Sequence, residues 1–305
     1  MPRRLLIAVS IAMLFGRSPG QNRTSLNPST VIRSDVRLVL VPVTVTDRRG
    51  AVVNGLAREH FKLLEEKTPL PIVSFTEEDA PCSVGIVLDV SGSMKPTLPQ
   101  AKSALRAFFE TFNPEDEAFL MSVSSVPREL TKFTSQFTEL LDSVRFTSAG
   151  GSTAFIDTAY LALSRMRDAS HARRALLVIS DGMDNHSRYS QRDLMKLASE
   201  ADVQIHTIAL YSPPLTKKPI ELQQERQGLW LLEELARGTG GLHFVTRDGN
   251  DVNEIVAKIG QALRNQYVIG YRPRTVDGSG KWRNIRVKST LPDVQVYARP
   301  GYYAR

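Results

Sequence analysis

Three short segments of the chain carry side-chain oxygens at spacings suited to binding a hard cation. The first is an apolar run, residues 84–88, that is followed by Asp89, Ser91 and Ser93 at alternate positions. A continuous apolar run bounded by polar residues is typical of a strand buried on both faces of a parallel sheet. Ligand sites of open α/β sheets lie beyond the carboxyl ends of such strands. The three side chains therefore fall where a site is expected.

Two later segments supply matching oxygen groups. Thr153 follows a glycine pair at 150–151, and Asp181 follows a second apolar strand, just before Gly182. Oxygen-only ligand sets favour Mg²⁺, Mn²⁺ or Ca²⁺ over zinc or copper, and Mg²⁺ usually keeps water or partner oxygens beside few carboxylates. Asp89 and Asp181 would balance a divalent charge while the hydroxyls add neutral ligands. The ion would then still accept a carboxylate from another molecule.

The region between residues 81 and 265 alternates predicted strands with predicted helices. The spacing of apolar residues predicts helices over 98–112, 137–144, 154–166, 191–201, 224–237 and 252–264. Apolar runs predict strands over 83–88, 117–124, 174–180, 203–210 and 242–246. Strands and helices that alternate at this spacing form βαβ units. The predicted fold class is therefore α/β, with a mostly parallel sheet.

The two flanks of this region are predicted to be β-rich, because short apolar or alternating runs are separated by turn signals. Strands are predicted over 36–46, 70–75, 267–271, 282–288 and 294–298, whereas 59–66 is consistent with a helix or a strand. Neither flank alone has enough apolar surface to form an independent domain. We predict that the two ends meet in one small β-rich module. The alternative is two unconnected β extensions docked on opposite sides.

The predicted organisation begins with a signal peptide at 1–20. Arg3 and Arg4 precede an apolar stretch of 11 residues, 5–15, and small residues follow before a cleavage point. A stretch that short does not span a bilayer, so we predict an exported protein, periplasmic or secreted. An uncleaved N-terminal anchor is the alternative. The N-terminal flank is then 21–80, the α/β domain 81–265, and the C-terminal flank 266–305, which is predicted to pack with 30–80.

The oxygen-bearing residues resemble those of a known family. In identity, order and approximate separation, Asp89, Ser91, Ser93, Thr153 and Asp181 resemble the metal-ion-dependent adhesion site of the von Willebrand factor type A family. The resemblance implies a doubly wound sheet with helices on both faces and a bound Mg²⁺ whose open position is filled by a partner's acidic side chain. It also implies that the hydroxyls touch the metal directly and that at least one aspartate often acts through water.

Three further polar residues lie close to this set in the sequence. Asp157 and Asp184 are predicted to cap a helix or to support the ligands rather than to bind the metal. His186 follows the second aspartate segment and is predicted either to contact a bound partner or to be an ordinary polar loop residue.

Composition argues against nucleic-acid binding and against disulfides. The net charge of +7 falls to +4 when residues 1–20 are removed, because they contain three arginines. The remaining basic residues are dispersed, without aromatic interleaving or a nucleic-acid motif. Cys82 is the only cysteine, which excludes an internal disulfide, and it is predicted to be buried as a small apolar residue.

Catalytic functions fit the sequence less well than binding does. A haloacid dehalogenase would need an aspartate where Ser91 stands, and a serine hydrolase would need a Gly-x-Ser-x-Gly turn with a partnered histidine. No pair of histidines has the His-Glu-x-x-His spacing. We therefore predict a noncatalytic, Mg²⁺-dependent protein-binding module of the cell envelope or exterior. The alternatives are a structural or assembly subunit that binds through its β flanks while the metal only stiffens the loops, and a metal-dependent hydrolase.

Overall fold

A computed structural model describes residues 38–211, 219–247, 251–275 and 279–304 of the chain. The predicted signal peptide lies outside the described residues. The strands in these ranges are, in chain order, β1 (Val39–Asp47), β2 (Phe61–Glu65), β3 (Thr68–Leu70), β4 (Ile72–Glu78), β5 (Cys82–Asp89), β6 (Glu117–Val123), β7 (Arg128–Thr134), β8 (Arg173–Ser180), β9 (Gln204–Tyr211), β10 (His243–Arg247), β11 (Gln266–Tyr271), β12 (Trp282–Ser289), β13 (Val294–Ala298) and β14 (Gly301–Tyr303). The α-helices are α1 (Leu98–Phe109), α2 (Phe137–Arg145), α3 (Phe155–Arg165), α4 (Gln191–Glu200), α5 (Pro219–Thr239) and α6 (Val252–Arg264).

The apolar runs of the sequence form one mostly parallel sheet with the strand order β10-β9-β8-β5-β6-β7. Strand β5 lies between β8 and β6 and is parallel to both, whereas β7 at the edge is antiparallel to β6. Every residue of β5 is buried, as expected of a strand covered on both faces. Leu88 pairs with Ile179 across β5 and β8. The carboxyl ends of these two strands therefore meet at the same edge of the sheet.

Two apolar cores cover the two faces of this sheet. Alternate residues of β5 point to opposite faces, so Ile86 and Leu88 join one core and Val87 joins the other. Helices α1, α2 and α6 pack on the first face, and α3, α4 and α5 pack on the second. The predicted fold class, a doubly wound and mostly parallel α/β sheet with β-rich flanks, is confirmed.

The flanks form two further sheets, with the strand orders β13-β1-β11-β4 and β14-β12-β2-β3. Strand β1 from the N-terminal flank pairs with β11 and β13 from the C-terminal flank, both antiparallel. A third core of apolar residues lies between the two sheets and includes Val43, Leu63, Tyr267 and Val287. Strands from both ends of the chain therefore share one core, although the domain boundaries predicted at 81 and 265 stay predictions.

Several element boundaries differ from the sequence prediction. Helix α1 ends at Phe109 rather than at residue 112, and Asn113 stands before Pro114, a position that disfavours helix. Helix α5 begins at Pro219, before the predicted start at 224, because proline is well suited to the first helical turn. The segment predicted as one strand over 70–75 is split at Pro71 between β3 and β4, which belong to different sheets.

Three strands also bear on the sequence predictions. The segment 59–66, which is consistent in sequence with a helix or a strand, contains strand β2. Strands β7 and β14 were not predicted. Cys82 is buried, as predicted, and burial raises the pKa of its thiol. No helix within the described ranges is both long and apolar enough to cross a membrane.

Candidate metal-binding site

Three loops at the carboxyl edge of the parallel sheet are linked by backbone hydrogen bonds. The first loop is 90–97, the second 146–154 and the third 181–190. The N–H of Gly92 donates to the carbonyl of Gly151 at 3.2 Å, and the N–H of Gly150 donates to the carbonyl of Val90 at 2.9 Å. The N–H of Asn185 donates to the carbonyl of Thr153 at 3.0 Å. The second loop is therefore fixed to both of the others.

Asp89 and Ser180 join the ends of the two strands that carry the first and third loops. The Ser180 Oγ donates to Oδ2 of Asp89 at 2.5 Å and accepts the N–H of Gly182 at 2.8 Å. The other carboxylate oxygen of Asp89 accepts the N–H of Ser91 at 2.8 Å. Asp89, Ser91 and Ser180 are all fully buried. These hydrogen bonds within the protein fix the orientation of the Asp89 carboxylate.

The two predicted carboxylates lie close enough to repel each other. Burial, and next the negative charge of Asp181, raise the pKa of Asp89 to about 7. Asp181 is itself only 7% exposed, and its Oδ1 accepts the N–H of Met183 at 3.0 Å. Each aspartate thus holds the backbone N–H two residues further on, which is a common turn arrangement.

The hydroxyl groups of the first loop face one another. The Oγ atoms of Ser91 and Ser93 are 3.1 Å apart, and Ser93 is exposed whereas Ser91 is buried. Ser91 precedes a short 3₁₀ turn, Gly92–Met94, which brings the two side chains to the same side of the loop. Thr153 is buried, and its backbone N–H donates to the Asn185 side chain at 2.9 Å. The structure therefore fixes the backbone of Thr153 against the third loop.

The predicted supporting residues make hydrogen bonds that link α3 to the third loop. Oδ1 of Asp184 accepts the N–H of Ile156 at 3.1 Å, in the first turn of α3. Oδ1 of Asp157 accepts the N–H groups of Arg188 and Tyr189, both at 2.9 Å. These bonds tie α3 to the third loop from both directions. His186 is exposed, and its N–H donates to the Thr153 carbonyl.

Two residues that position the site, Ser180 and Gly228, were not predicted from the sequence. Ser180 is the polar residue that interrupts an apolar strand just before Asp181, which was a usable signal. Gly228 lies within α5, and an isolated glycine in a helix often marks close packing. A Cβ on Gly228 would lie 2.6 Å from the Asp181 carbonyl oxygen, and a Cβ on Gly182 would lie 2.4 Å from the Gly228 carbonyl oxygen. The third loop and α5 therefore touch backbone to backbone.

The donor set at this edge of the sheet fits a hard divalent cation. Two carboxylates with like charge are buried together, and three hydroxyl groups lie on the loops that hold them. A cation would offset the repulsion that raises the pKa of Asp89. Among the described residues, no group of three or more histidine, cysteine, aspartate or glutamate side chains could hold a metal. A metal site here would therefore depend on hydroxyl ligands, and the role of the five residues as ligands stays a prediction.

Comparison with known families agrees with this architecture. Residues 84–183 match the family model of the von Willebrand factor type A domain. This segment is similar to a von Willebrand factor type A domain. The match covers about a third of the chain and includes all five predicted ligands, from Asp89 to Asp181. The parallel sheet and the helices packed on it continue beyond the matched residues, to α6.

One curated relative is a protein of Borreliella burgdorferi described as uncharacterized. It is 26% identical over 188 residues, which are 55% of this chain and 55% of that protein. The chain thus spans about half the length of the curated relative that it matches.

Several solved structures are similar in fold. The conserved hypothetical protein BatB of Bacteroides thetaiotaomicron is 18% identical with a TM-score of 0.47, covering 59% of this chain and 98% of that one. The von Willebrand factor domain of a Porphyromonas gingivalis type V pili tip protein is 13% identical with a TM-score of 0.48, covering 61% and 95%. The pilus adhesin SpaC of Lactobacillus rhamnosus GG is 9% identical with a TM-score of 0.49, covering 82% and 48%. These similarities concern the fold alone.

Proposed function

We propose that the type A domain of this protein is a noncatalytic, Mg²⁺-dependent protein-binding module. Asp89, Ser91, Ser93, Thr153 and Asp181 would hold the ion directly or through water. When bound, the ion supplies a Lewis-acidic position that an Asp or Glu side chain of a partner protein completes. Mn²⁺ or Ca²⁺ are alternative occupants, because the donor set is made of oxygen atoms.

The observation that carries this proposal is the arrangement of the three loops. They come from distant parts of the sequence, yet backbone bonds fix the second loop to the other two, and the bond from Ser180 to Asp89 joins the first to the third. Two carboxylates balance the charge of a divalent ion, and the hydroxyl ligands are neutral. The ion would therefore stay electrophilic enough to accept a further carboxylate from outside the chain.

The site supports binding better than hydrolysis. The Ser91 and Ser93 hydroxyls lie within hydrogen-bond distance of each other. Neither of them bonds to a histidine within the described residues, so a general base for a serine nucleophile is missing there. We place the function outside the cytoplasm, in the periplasm or after secretion, on the sequence pattern of residues 1–20.

The test measures metal binding and partner capture with the same variants. Calorimetric titration with Mg²⁺ should give one binding event for the wild-type protein and none for Asp181→Asn. Immobilised wild-type protein should then retain partner proteins from envelope extract with Mg²⁺ but not with EDTA, and free acetate should compete as a small carboxylate. Asp142→Asn, at an exposed position of α2, is the matched control and should behave as the wild type.

The outcomes separate the proposal from its alternatives. Capture that survives both EDTA and Asp181→Asn would contradict the metal-dependent mechanism and favour binding through the β flanks. Metal-dependent turnover of an ester or phosphate substrate would contradict the noncatalytic assignment. Circular dichroism of each variant shows that a lost signal does not come from unfolding.

A further inference from the structure

A cleft lies at the opposite end of the parallel sheet from the three loops of the candidate metal site (the metal loops). The cleft, of about 450 Å³, opens where the flank sheet of β1, β11 and β4 meets the amino ends of β8 and β9. This volume lies within the range of small-molecule sites, about 300–1,000 Å³. Strand β8 runs from Arg173 at the cleft to Ser180 at the metal loops. A strand rises about 3.3 Å per residue, so the two places are roughly 25 Å apart.

The walls of the cleft are mainly apolar. One wall is the outer face of the flank sheet, where Leu40, Pro42 and Val268 line the cleft. Facing them are Ala198 near the end of α4 and Val203 just before β9. Further along the same face of β1, Thr44 is fully buried. The cleft is therefore a local gap between two packed layers, and its walls suit an apolar body.

A buried amide pair forms part of the cleft lining. Nε2 of Gln266 donates to Oε1 of Gln204 at 2.6 Å, and Nε2 of Gln204 donates to the carbonyl of Gly240 at 3.3 Å. Both side chains line the cleft, and they are only 2% and 7% exposed. Because Nε2 of Gln266 is engaged by Gln204, the amide atom that the Gln266 side chain can offer to the cleft is Oε1. An amide oxygen accepts hydrogen bonds, so it would pair with an N–H or O–H of a ligand.

The charged residues of the cleft favour an anion. Asp202 forms an ion pair with Arg299 at 2.6 Å, so its charge is balanced within the protein. Arg174 donates to the carbonyls of His171 and Ala169, at 3.3 and 3.4 Å, and these are neutral acceptors. Within the described chain its positive charge faces no carboxylate partner. An acidic group in the cleft would supply one.

We propose that this cleft is a binding site for a small organic acid with an apolar body and a hydrogen-bond donor. The apolar part would lie between Pro42, Val268 and Val203, the donor would meet Oε1 of Gln266, and the acid would lie against Arg174. The site is separate from the metal loops and does not depend on their function.

The test uses 8-anilinonaphthalene-1-sulfonate, an aromatic amine that carries an anionic group and fluoresces in apolar surroundings. Wild-type protein should bind it saturably at one site. Ser199→Trp places a large side chain in the cleft from α4, and it should weaken binding by about tenfold or more. Ser143→Trp is the matched control, because both serines are half-buried on a helix and donate to the carbonyl three residues earlier. It should bind the dye as the wild type does.

A second experiment tests the contribution of the Arg174 charge to binding. Arg174→Gln should weaken the sulfonate by about fivefold to tenfold, since a charge-assisted hydrogen bond is lost. It should change the affinity for N-phenyl-1-naphthylamine, the same ring system without the sulfonate, by less than about twofold. Equal weakening of both dyes would overturn the anion assignment.

Two results would overturn the proposed location of the site. Unchanged dye affinity in Ser199→Trp would overturn the proposed location, as would the absence of saturable binding to the wild-type protein. Thr76→Trp fills the cleft from the opposite wall and replaces Ser199→Trp if that variant does not fold. Cooperative urea unfolding of each variant ensures that the dye reports a folded site, because exposed apolar surface in a partly folded protein also binds it.

Discussion

Gly182 and Gly228 pack backbone against backbone, so that neither position has room for a side chain. A Cβ on either residue would lie under 3 Å from backbone atoms of the other segment, and Gly182 also has a φ of +72°, which favours glycine. The contact joins the turn that carries Asp181 to the middle of α5. The position of the third loop is therefore set in part by a helix that contributes none of the predicted ligands.

Gly228→Ala should destabilise the protein and weaken Mg²⁺ binding. Alanine normally stabilises a helix interior relative to glycine by about 0.5–1 kcal/mol. Here its Cβ would press on the Asp181 carbonyl, and overpacking costs about 1–3 kcal/mol, so the unfavourable effect should prevail. Gly238→Ala in the same helix is the control, because its Cβ would meet only Met195 Cε at 3.5 Å. Urea unfolding and Mg²⁺ titration measure both effects, and wild-type values for Gly228→Ala would show that the contact is dispensable.

Ser180→Ala should lower stability by about 1–3 kcal/mol, because a buried hydroxyl that both donates and accepts is lost. The N–H of Gly182 would lose its acceptor and Asp89 would lose its donor. Ser164→Ala, which removes only a bond to the Tyr160 carbonyl, should change stability by less than about 0.5 kcal/mol. Chemical denaturation of both variants without added metal makes the comparison, and equal losses would argue against a special role for Ser180.

In the variant Asp89→Asn, Mg²⁺ should no longer stabilise the folded protein. In metal-free buffer the variant should be at least as stable as the wild type, because it removes a buried negative charge that Asp181 repels. An asparagine can still accept the Ser91 N–H and approach the Ser180 hydroxyl. Mg²⁺ at a hundredfold excess over its Kd should stabilise the wild type by about 2.7 kcal/mol and leave the variant unchanged. A variant that is less stable than the wild type in EDTA would contradict this electrostatic account.

His206 should make the protein lose stability in mild acid. Burial lowers the pKa of His206 to about 4, and the Leu242 N–H donates to its Nδ1. The folded state thus favours the neutral ring, so this contribution is complete above the unfolded pKa of about 6.5 and is lost as the pH falls toward 4. The loss should approach about 3 kcal/mol at the acid end of that window.

The difference between wild type and His206→Gln isolates this effect. Urea unfolding at pH 7.5 and pH 5 should show a smaller pH-dependent loss in the variant, whatever its stability at the higher pH. His186→Gln, at an exposed position, should retain the wild-type pH dependence. Parallel profiles for wild type and His206→Gln would show that His206 does not contribute.

The sequence by itself determined the elements that local patterns encode. The wholly apolar run before Asp89 predicted a strand buried on both faces, and helical spacing predicted α6 with its observed bounds. The ends of β5 and β8 placed Asp89 and Asp181 at one edge of a parallel sheet, because such strands end on the same side. These inferences succeed because side-chain period and turn chemistry depend on neighbouring residues. Strand β7 was not predicted, because it lies half-exposed at the edge of the sheet and its sequence contains no continuous apolar run.

Only the tertiary structure decided which distant residues touch. The bond from Ser180 to Asp89 joins positions 91 residues apart, and the contact of Gly228 with Gly182 depends on how α5 lies over the sheet. The pairing of β1 with β11 in one sheet also depends on contacts between distant residues, and so does the cleft beside that sheet. Strand order and helix packing depend on the burial of surface across the whole chain, and no local pattern carries that information.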